Sequence, residues 1–281
     1  MRRAIDRAFA SFLAGFLLCS VVPAAAAKPR VASINVCTDQ LLLALADPDQ
    51  IVGLSPASRN PTFSYAAAAA TQYHRLSGQA EDVLVLDPDF VVASQFTRRA
   101  TRELLKAKSF RVIEFDVATS IDDVREQIRR MGELVEHPDR ATAILDRLDA
   151  AVERVRAAHV GRPLSVLPLS RRGWVSGASS LMNSLLETAG LTNPAARLGR
   201  ATSGYASLEL IVSAHPDLIL IADDSPVAED QGSAFLLHPA LLELYPPEKR
   251  LVVPGRLTVC GGPMVVHALE RLTAEIKRVS R

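Results

Sequence analysis

Short apolar runs alternate with helix-length stretches along most of the chain. Residues 30–35 (RVASIN), 51–55 (IVGLS), 90–93 (FVVA) and 111–115 (RVIEF) are largely apolar over a strand's length, the pattern of strands covered on both faces of a parallel sheet. Between them, residues 40–46, 66–70, 81–86 and 101–108 read as helices. Thr38 or Asp39 is placed to cap the first, alanine favours the second, and Pro88 stops the third. Residues 56–64 (PASRNPTFS) are loop material. The same grammar returns downstream, with strands expected at 164–169, 218–221 and 251–253. A helix at 181–189 ends on Gly190, a short helix is capped by Ser207 and stopped by Pro216, and an amphipathic helix at 264–279 follows Cys260-Gly261-Gly262-Pro263. Residues 170–179 read as a polar loop and 223–232 as an acidic one.

The middle of the chain differs. From 121 to 159 apolar residues recur only at helical spacing: Val124, Ile128 and Met131, then Ile144, Leu148, Val152 and Val155. His137-Pro138-Asp139 divides the stretch into two helices, with Asp139 expected to cap the second. At its length that helix spans about 30 Å, a rigid spacer and not a floppy linker. The expected architecture is α/β, with two similar lobes of mainly parallel sheet at 28–120 and 161–281, connecting helices at 121–160, and a ligand cleft between the lobes.

A repeat supports the two lobes. Residues 81–93 (EDVLVLDPDFVVA) and 209–222 (ELIVSAHPDLILIA) share an opening glutamate, a Pro-Asp and a closing apolar run, at a constant offset of 128 residues. Glu81 matches Glu209, and the two lie at the starts of equivalent short helices.

Composition narrows the function classes. The 281 residues suffice for two cores, and 48% hydrophobic with 22% charged residues is ordinary globular composition. A net charge of +1 and only 5% aromatic residues give no footprint for nucleic acid. Arg2 and Arg3, the apolar stretch 9–22 and the small residues 23–27 form an export signal, so residues 1–27, with Cys19, are expected to be removed and the mature protein to be a soluble periplasmic one. Hydrolase, zinc-protease, P-loop and dinucleotide motifs are absent, so no enzyme is expected. The histidines show no zinc-like pairing with the cysteines, so neither a protein-bound metal nor a cofactor is expected.

In open α/β sheets ligands meet the loops at the carboxyl ends of strands. Those loops carry Cys37 and Thr38, then Arg59, Arg98, Arg171, Arg172, Trp174, Arg256 and Cys260. Guanidinium forks match carboxylate geometry and suit an anionic chelate. Trp174 either stacks on a ligand or packs structurally. Cys37 and Cys260 fall on opposite lobes, where two readings stand open: a disulfide locking the lobes together, or two thiols facing the ligand or a soft metal.

Three motifs in order, RVASINVCTDQLLLAL, EDVLVLDPDFVVAS and SLELIVSAHPDLILIAD, resemble the periplasmic substrate-binding proteins of ABC importers for ferric siderophores, haem and cobalamin. The resemblance covers essentially the whole mature chain. It implies two lobes joined by a long helix, a shallow cleft with little closure, and one exposed glutamate per lobe, here Glu81 and Glu209, docking onto arginines of the permease. It further implies a monomer that binds an iron chelate of siderophore type and hands it to the permease, with cobalamin or haem as the alternative. An exported enzyme on the same scaffold is the reading from another class. Where relatives often carry an aromatic residue after the last strand, this chain has Leu257-Thr258, which argues against a flat aromatic-lined pocket and against a cobalamin assignment.

Overall fold

The computed structural model describes residues 27–158, 162–222 and 230–280, so the expected export signal and most of the acidic 223–232 loop lie outside the described residues. The first half builds β1 (Val31–Ser33), α1 (Val36–Leu45), β2 (Ile51–Gly53), α2 (Ala80–Leu86), β3 (Phe90–Ser94), α3 (Arg99–Ala107) and β4 (Val112–Phe115). The strands form one parallel sheet in the order β2-β1-β3-β4. Two helices follow, α4 (Ile121–Leu134) and α5 (Pro138–Arg156). The second half adds β5 (Val166–Ser170), β6 (Trp174–Val175), α6 (Leu181–Thr188), β7 (Gly204–Tyr205), α7 (Leu208–Ser213), β8 (Leu218–Ile221), α8 (Gln231–Ala234), α9 (Pro239–Leu244), β9 (Arg250–Val252) and α10 (Val265–Val279). Its sheet runs β7-β6-β5-β8-β9, parallel through β5, β8 and β9 and antiparallel at β6 and β7.

The repeat explains how each sheet starts. Asp87 and His215, one residue before the matched prolines, both adopt left-handed backbone (φ 44° and 42°), ending the short helix and reversing the chain. The next aspartate then staples its strand to the first strand of the lobe. Asp89 accepts the Arg30 amide at 2.6 Å, and Asp217 accepts the Ser165 amide and hydroxyl at 2.8 Å each. Arg162 also pairs with Asp217, and these partners hold its carboxyl down to about 2. The apolar half of each copy becomes β3 or β8, buried along its whole length.

One apolar core runs through both lobes. Leu41, Leu42 and Leu45 of α1 belong with Val124, Ile128 and Met131 of α4, Ile144, Leu148 and Val152 of α5, Leu185 of α6, and Val265, Leu269 and Leu272 of α10. The outer face of each sheet has its own smaller cluster, around Val83, Val91 and Leu105 in one lobe and Leu167, Ile211, Ile219 and Leu241 in the other. Each fully buried leucine or isoleucine contributes about 1.5–3 kcal/mol, so separating the lobes through the shared core is costly.

Local expectations failed where side-chain hydrogen bonds or special backbone decided the outcome. The first helix begins at Val36, because Asn35 accepts the Cys37 amide at 2.9 Å and caps it there; Cys37, Thr38 and Asp39 are therefore helical residues, not a turn. His137 rather than Asp139 precedes α5, with Pro138 in its first turn. The alanine run forms only a short 3₁₀ turn at Ala69–Gln72. The 170–179 stretch is a hairpin: Arg172 and Gly173 in succession take left-handed backbone (φ 58° and 76°) and fold Trp174–Val175 back on Leu169 and Ser170. A Cβ on Gly173 would meet the Ala206 carbonyl at 2.4 Å, so glycine is required there.

Candidate functional site

Parallel strands bring their carboxyl ends to one edge of each sheet, and these two edges meet. Cys37, in the first turn of α1 after β1, is disulfide-bonded to Cys260, between β9 and α10, with Cα atoms 5.2 Å apart. The turn after Cys260 is seated in the other lobe. A Cβ on Gly261 would lie 2.2 Å from the Ala118 side chain, and one on Gly262 would lie 3.6 Å from Leu41. Tyr65 of the first lobe stacks on His267 of α10 at 5.1 Å between ring centroids. A covalent bond, a packed turn and a ring stack thus close the floor of the cleft.

The residues named from sequence divide into three groups. Cys37 and Cys260 are bonded to each other, which removes the reading in which two thiols face a ligand or soft metal. Thr38 is fully buried with its hydroxyl bonded to Ser33 and to the Asn35 carbonyl, so it braces α1 rather than reaching the cleft. Arg59 is half-buried and donates to the Tyr73 carbonyl at 2.7 Å. Arg171 is paired with Asp230, which tethers the hairpin loop to α8. Arg98, Arg172 and Arg256 are exposed and, among the described residues, their side chains make no hydrogen bond or ion pair. Trp174 is partly exposed and meets Tyr205 edge to face at 5.0 Å.

Sequence reasoning missed most of the exposed aromatic side chains. Phe63 and Tyr65 stand in the loop after β2, Phe96 (78% exposed) in the loop after β3, and Tyr205 on β7 opposite Trp174. All lie at the carboxyl edges, some on each lobe. A signal was present: PTFSY and SQF place aromatics inside polar loops, where no core explains them. The missing aromatic at Leu257-Thr258 says nothing about these other loops.

Asp39 was read from sequence as a helix-cap candidate, not as a buried acid. It is fully buried in α1 and accepts the Ser55 amide at 3.0 Å and the Ser55 hydroxyl at 2.5 Å. Burial pushes its carboxyl up to about 7 despite those hydrogen bonds. Glu81 and Glu209 are both exposed, in the first turns of α2 and α7, and neither is in an ion pair among the described residues. Each of these helices runs back along its sheet before the next parallel strand, so its N-terminus lies at the carboxyl edge, on the cleft side of its lobe. The Glu209 backbone amide and the Ser207 hydroxyl hold the Glu209 carboxyl below its usual range.

A family profile described as periplasmic binding protein matches residues 31–244. The chain belongs to the periplasmic binding protein family. It is 32% identical over 219 residues to a cobalamin-binding protein of Halobacterium salinarum, a match covering 74% of this chain and 57% of that relative. Among solved structures, the fold matches the apo periplasmic heme-binding protein RhuT from Roseiflexus sp. RS-1 with a TM-score of 0.72 at 20% identity, over 91% of this chain and all of that one. It matches the periplasmic vitamin B12 binding protein BtuF of Vibrio cholerae with a TM-score of 0.68 at 16% identity, over 90% and 98% of the two chains. The two-lobed α/β architecture expected from sequence is thus the fold of these periplasmic binding proteins. Among the described residues no helix is long and apolar enough to cross a membrane, and no group of three or more His, Cys, Asp or Glu could hold a metal ion.

Proposed function

We propose that this chain is the periplasmic receptor of an ABC importer, that it binds a metal-centred chelate between its lobes, and that it delivers the chelate unchanged to the permease. The observation that carries this reading is the pair of facing rims. Phe63, Tyr65 and Phe96 on one lobe and Trp174 and Tyr205 on the other expose aromatic surface around a floor closed by Cys37–Cys260. Exposed aromatic rings give flat apolar contact at low entropic cost. They favour a macrocycle, corrinoid or haem, over the siderophore-type iron chelate expected from sequence, and the cobalamin-binding relative supports the same choice. A ferric siderophore is the second reading, supported by the guanidinium groups of Arg98, Arg172 and Arg256, which have no partner among the described residues and suit a ligand bearing carboxylates.

An exported enzyme would need acid and base groups within reach of a substrate. The cleft loops offer Asp39, but it is buried beneath residues 55–65 with Ser55 as its partner. Glu81 and Glu209 are assigned to docking. Two exposed, unpaired carboxylates on one rigid body attract and orient a basic partner.

The test is purification from a native periplasm, followed by an absorbance spectrum and mass spectrometry of any bound chromophore. Titration of the stripped protein with cyanocobalamin, haemin and a ferric siderophore then ranks the classes. Saturable one-to-one binding of a macrocycle is expected. Failure of all three to bind would refute the reading.

A further inference from the structure

The loop at 55–65 hangs by its two ends from consecutive residues of α1. Asp39 takes the amide and hydroxyl of Ser55, and the Gln40 amide oxygen takes the Tyr65 amide at 2.8 Å. Between these pins the loop folds on itself through Ser58 to Ser55, Asn60 to Ala57 and Ser64 to Asn60, at 2.8–3.1 Å. Compact surface loops with adjacent ends are frequently functional. This one carries Phe63 and Tyr65 to the rim, and Tyr65 continues to His267 of α10. Helix α10 follows the turn whose Cys260 is bonded to Cys37, two residues before Asp39. The contacts close a circuit: α1, disulfide, α10, His267, Tyr65, Gln40 and back to α1.

The underside of the loop is less well held than its ends. The Gln40 amide nitrogen, the hydroxyls of Ser58 and Ser64 and the Arg59 Nε are buried without a hydrogen-bond partner among the described residues. Besides the Arg59 bond to the Tyr73 carbonyl and the Tyr65–His267 stack, placement of the loop rests on the two pins.

One pin is chemically unusual. An asparagine could hold the same end of the loop without the cost of a buried charge, accepting the Ser55 amide on Oδ1 and donating from Nδ2 to the Ser55 hydroxyl, yet the residue is a carboxyl, and among the described residues no cation is paired with it. The strands β1 and β3 that pack on α1 contain no titratable side chain. Helix α4 turns Val124, Ile128 and Met131 inward. Its Asp122 and Arg125 pair with each other, the Asp123 carboxylate accepts the Thr119 and Ser120 amides in the capping box headed by Ser120, and Arg130 lies over Phe115. The outer groups Glu126 and Arg129 pair together, and Glu133 is exposed. On the loop itself Arg59 is bonded to Tyr73 and Tyr65 is stacked on His267, whose own Nδ1 faces Glu270. Cys37 and Cys260, as a disulfide, do not titrate.

We infer that Asp39 and Gln40 are positioning residues of the ligand site, which set ligand affinity through the 55–65 loop without touching the ligand, and that Asp39 makes this placement respond to pH. The protonated acid is compatible with full burial; the carboxylate is a buried charge whose desolvation outweighs its Ser33 and Ser55 hydrogen bonds, and it draws water toward the Ser55 end of the loop. With its carboxyl pushed up to about 7, Asp39 loses its proton as pH rises through neutrality, and the loop loosens in that direction. This inference rests on the proposed function only for its affinity arm.

The experiment has two arms. Without ligand, hydrogen-exchange mass spectrometry yields protection factors for peptides spanning 55–65 in the wild type, Asp39→Asn and Gln40→Leu at pH 6 and 8. Between those values the protonated population of a group titrating near 7 falls about tenfold. Wild-type protection should fall several-fold with it. Asp39→Asn should stay flat, and Gln40→Leu should lose protection at both values. With cyanocobalamin and a ferric trihydroxamate as probes, neither of which changes charge in this range, affinity should weaken with pH in the wild type and not in Asp39→Asn. Equal pH dependence of loop protection in wild type and Asp39→Asn would overturn the inference. So would an unchanged probe affinity where loop protection has fallen. If neither probe binds while the loop still responds, the proposed ligand class fails and the pH-dependent placement of the loop by Asp39 and Gln40 stands.

Discussion

Removing the Cys37–Cys260 bond tests how the lobes are held together. The double variant C37S/C260S removes a cross-link between residues 223 positions apart, so most of the chain lies within the closed loop. Chain-entropy reasoning for a loop of that length gives about 5 kcal/mol of stabilisation through the unfolded state, which is also near the top of the measured range. Residual structure in the denatured chain lowers this, so a loss of about 3–5 kcal/mol is expected. For a protein of this size each kcal/mol moves the melting temperature by about 2–4 °C, giving a drop of roughly 10 °C. The native lobes should nonetheless stay together, because the Tyr65–His267 stack, the Gly261–Ala118 contact and the shared core do not depend on the sulfur atoms. The assay is a calorimetric melt of the wild type with and without a phosphine reductant, beside the double serine variant, with intact mass confirming free thiols. Small-angle scattering of the variant should match that of the wild type. A fully reduced wild type that melts at the oxidised temperature would refute the entropic argument, and a marked expansion of the folded variant would refute the shared-core argument.

Charge reversal of both glutamates, E81K/E209K, should abolish uptake in a reconstituted importer while leaving ligand affinity unchanged; normal uptake would remove the docking role. Trp174 is the single tryptophan, so its fluorescence should be quenched on saturation with a bound coloured macrocycle, and an unchanged signal would place it outside the site. Asp217, held at about 2 against an ordinary 3.8, contributes on the order of 2 kcal/mol that is present above about pH 4 and lost as pH falls toward 2. D217N should lose about 1–2 kcal/mol at neutral pH and flatten that acid limb in denaturant melts taken at stepped pH. Gly261→Ala should cost about 1–3 kcal/mol by overpacking against Ala118, read in the same melts; a neutral effect would mean the turn is looser than its contacts indicate.

The long periodic stretches are legible in the sequence. The buried strands, the two middle helices and the 128-residue repeat follow from apolar spacing that tertiary packing reinforces. What escaped was decided by single hydrogen bonds or unusual backbone. Asn35 moved the start of α1 forward, and with it converted Asp39 from a cap candidate into a buried helical residue. Arg172 and Gly173 made a hairpin from the 170–179 loop, and its return strand β6, like β7 that pairs with it, has two residues, too short for any periodicity to reveal. Helices α8 and α9, of four and six residues, are below the length at which spacing is informative. The disulfide stood as one of two open readings because spacing in sequence carries no distance across lobes; only the meeting of the two carboxyl edges decided it.

A welded floor constrains how such a receptor can signal that it is loaded. In a hinge-bending protein the permease can read the distance between lobes, since ligand closes the cleft. Here a disulfide, a seated Gly261 turn and a continuous apolar core oppose a change in that distance. Glu81 and Glu209 stand on helices rooted in the two sheets, so their spacing should be nearly the same with and without ligand. On the proposed function, the glutamates then supply register and attraction but cannot by themselves distinguish loaded from empty receptor. The discrimination has to come from other elements at the same rim: the 55–65 loop with Phe63 and Tyr65, Phe96 after β3, and the Trp174–Tyr205 pair. Cross-linking cysteines placed beside Glu81 and Glu209 should therefore report one distance in both states, whereas exchange in the 55–65 loop should slow on binding. A ligand-dependent change in the inter-glutamate distance would return the signal to the lobes and remove the loops from that role.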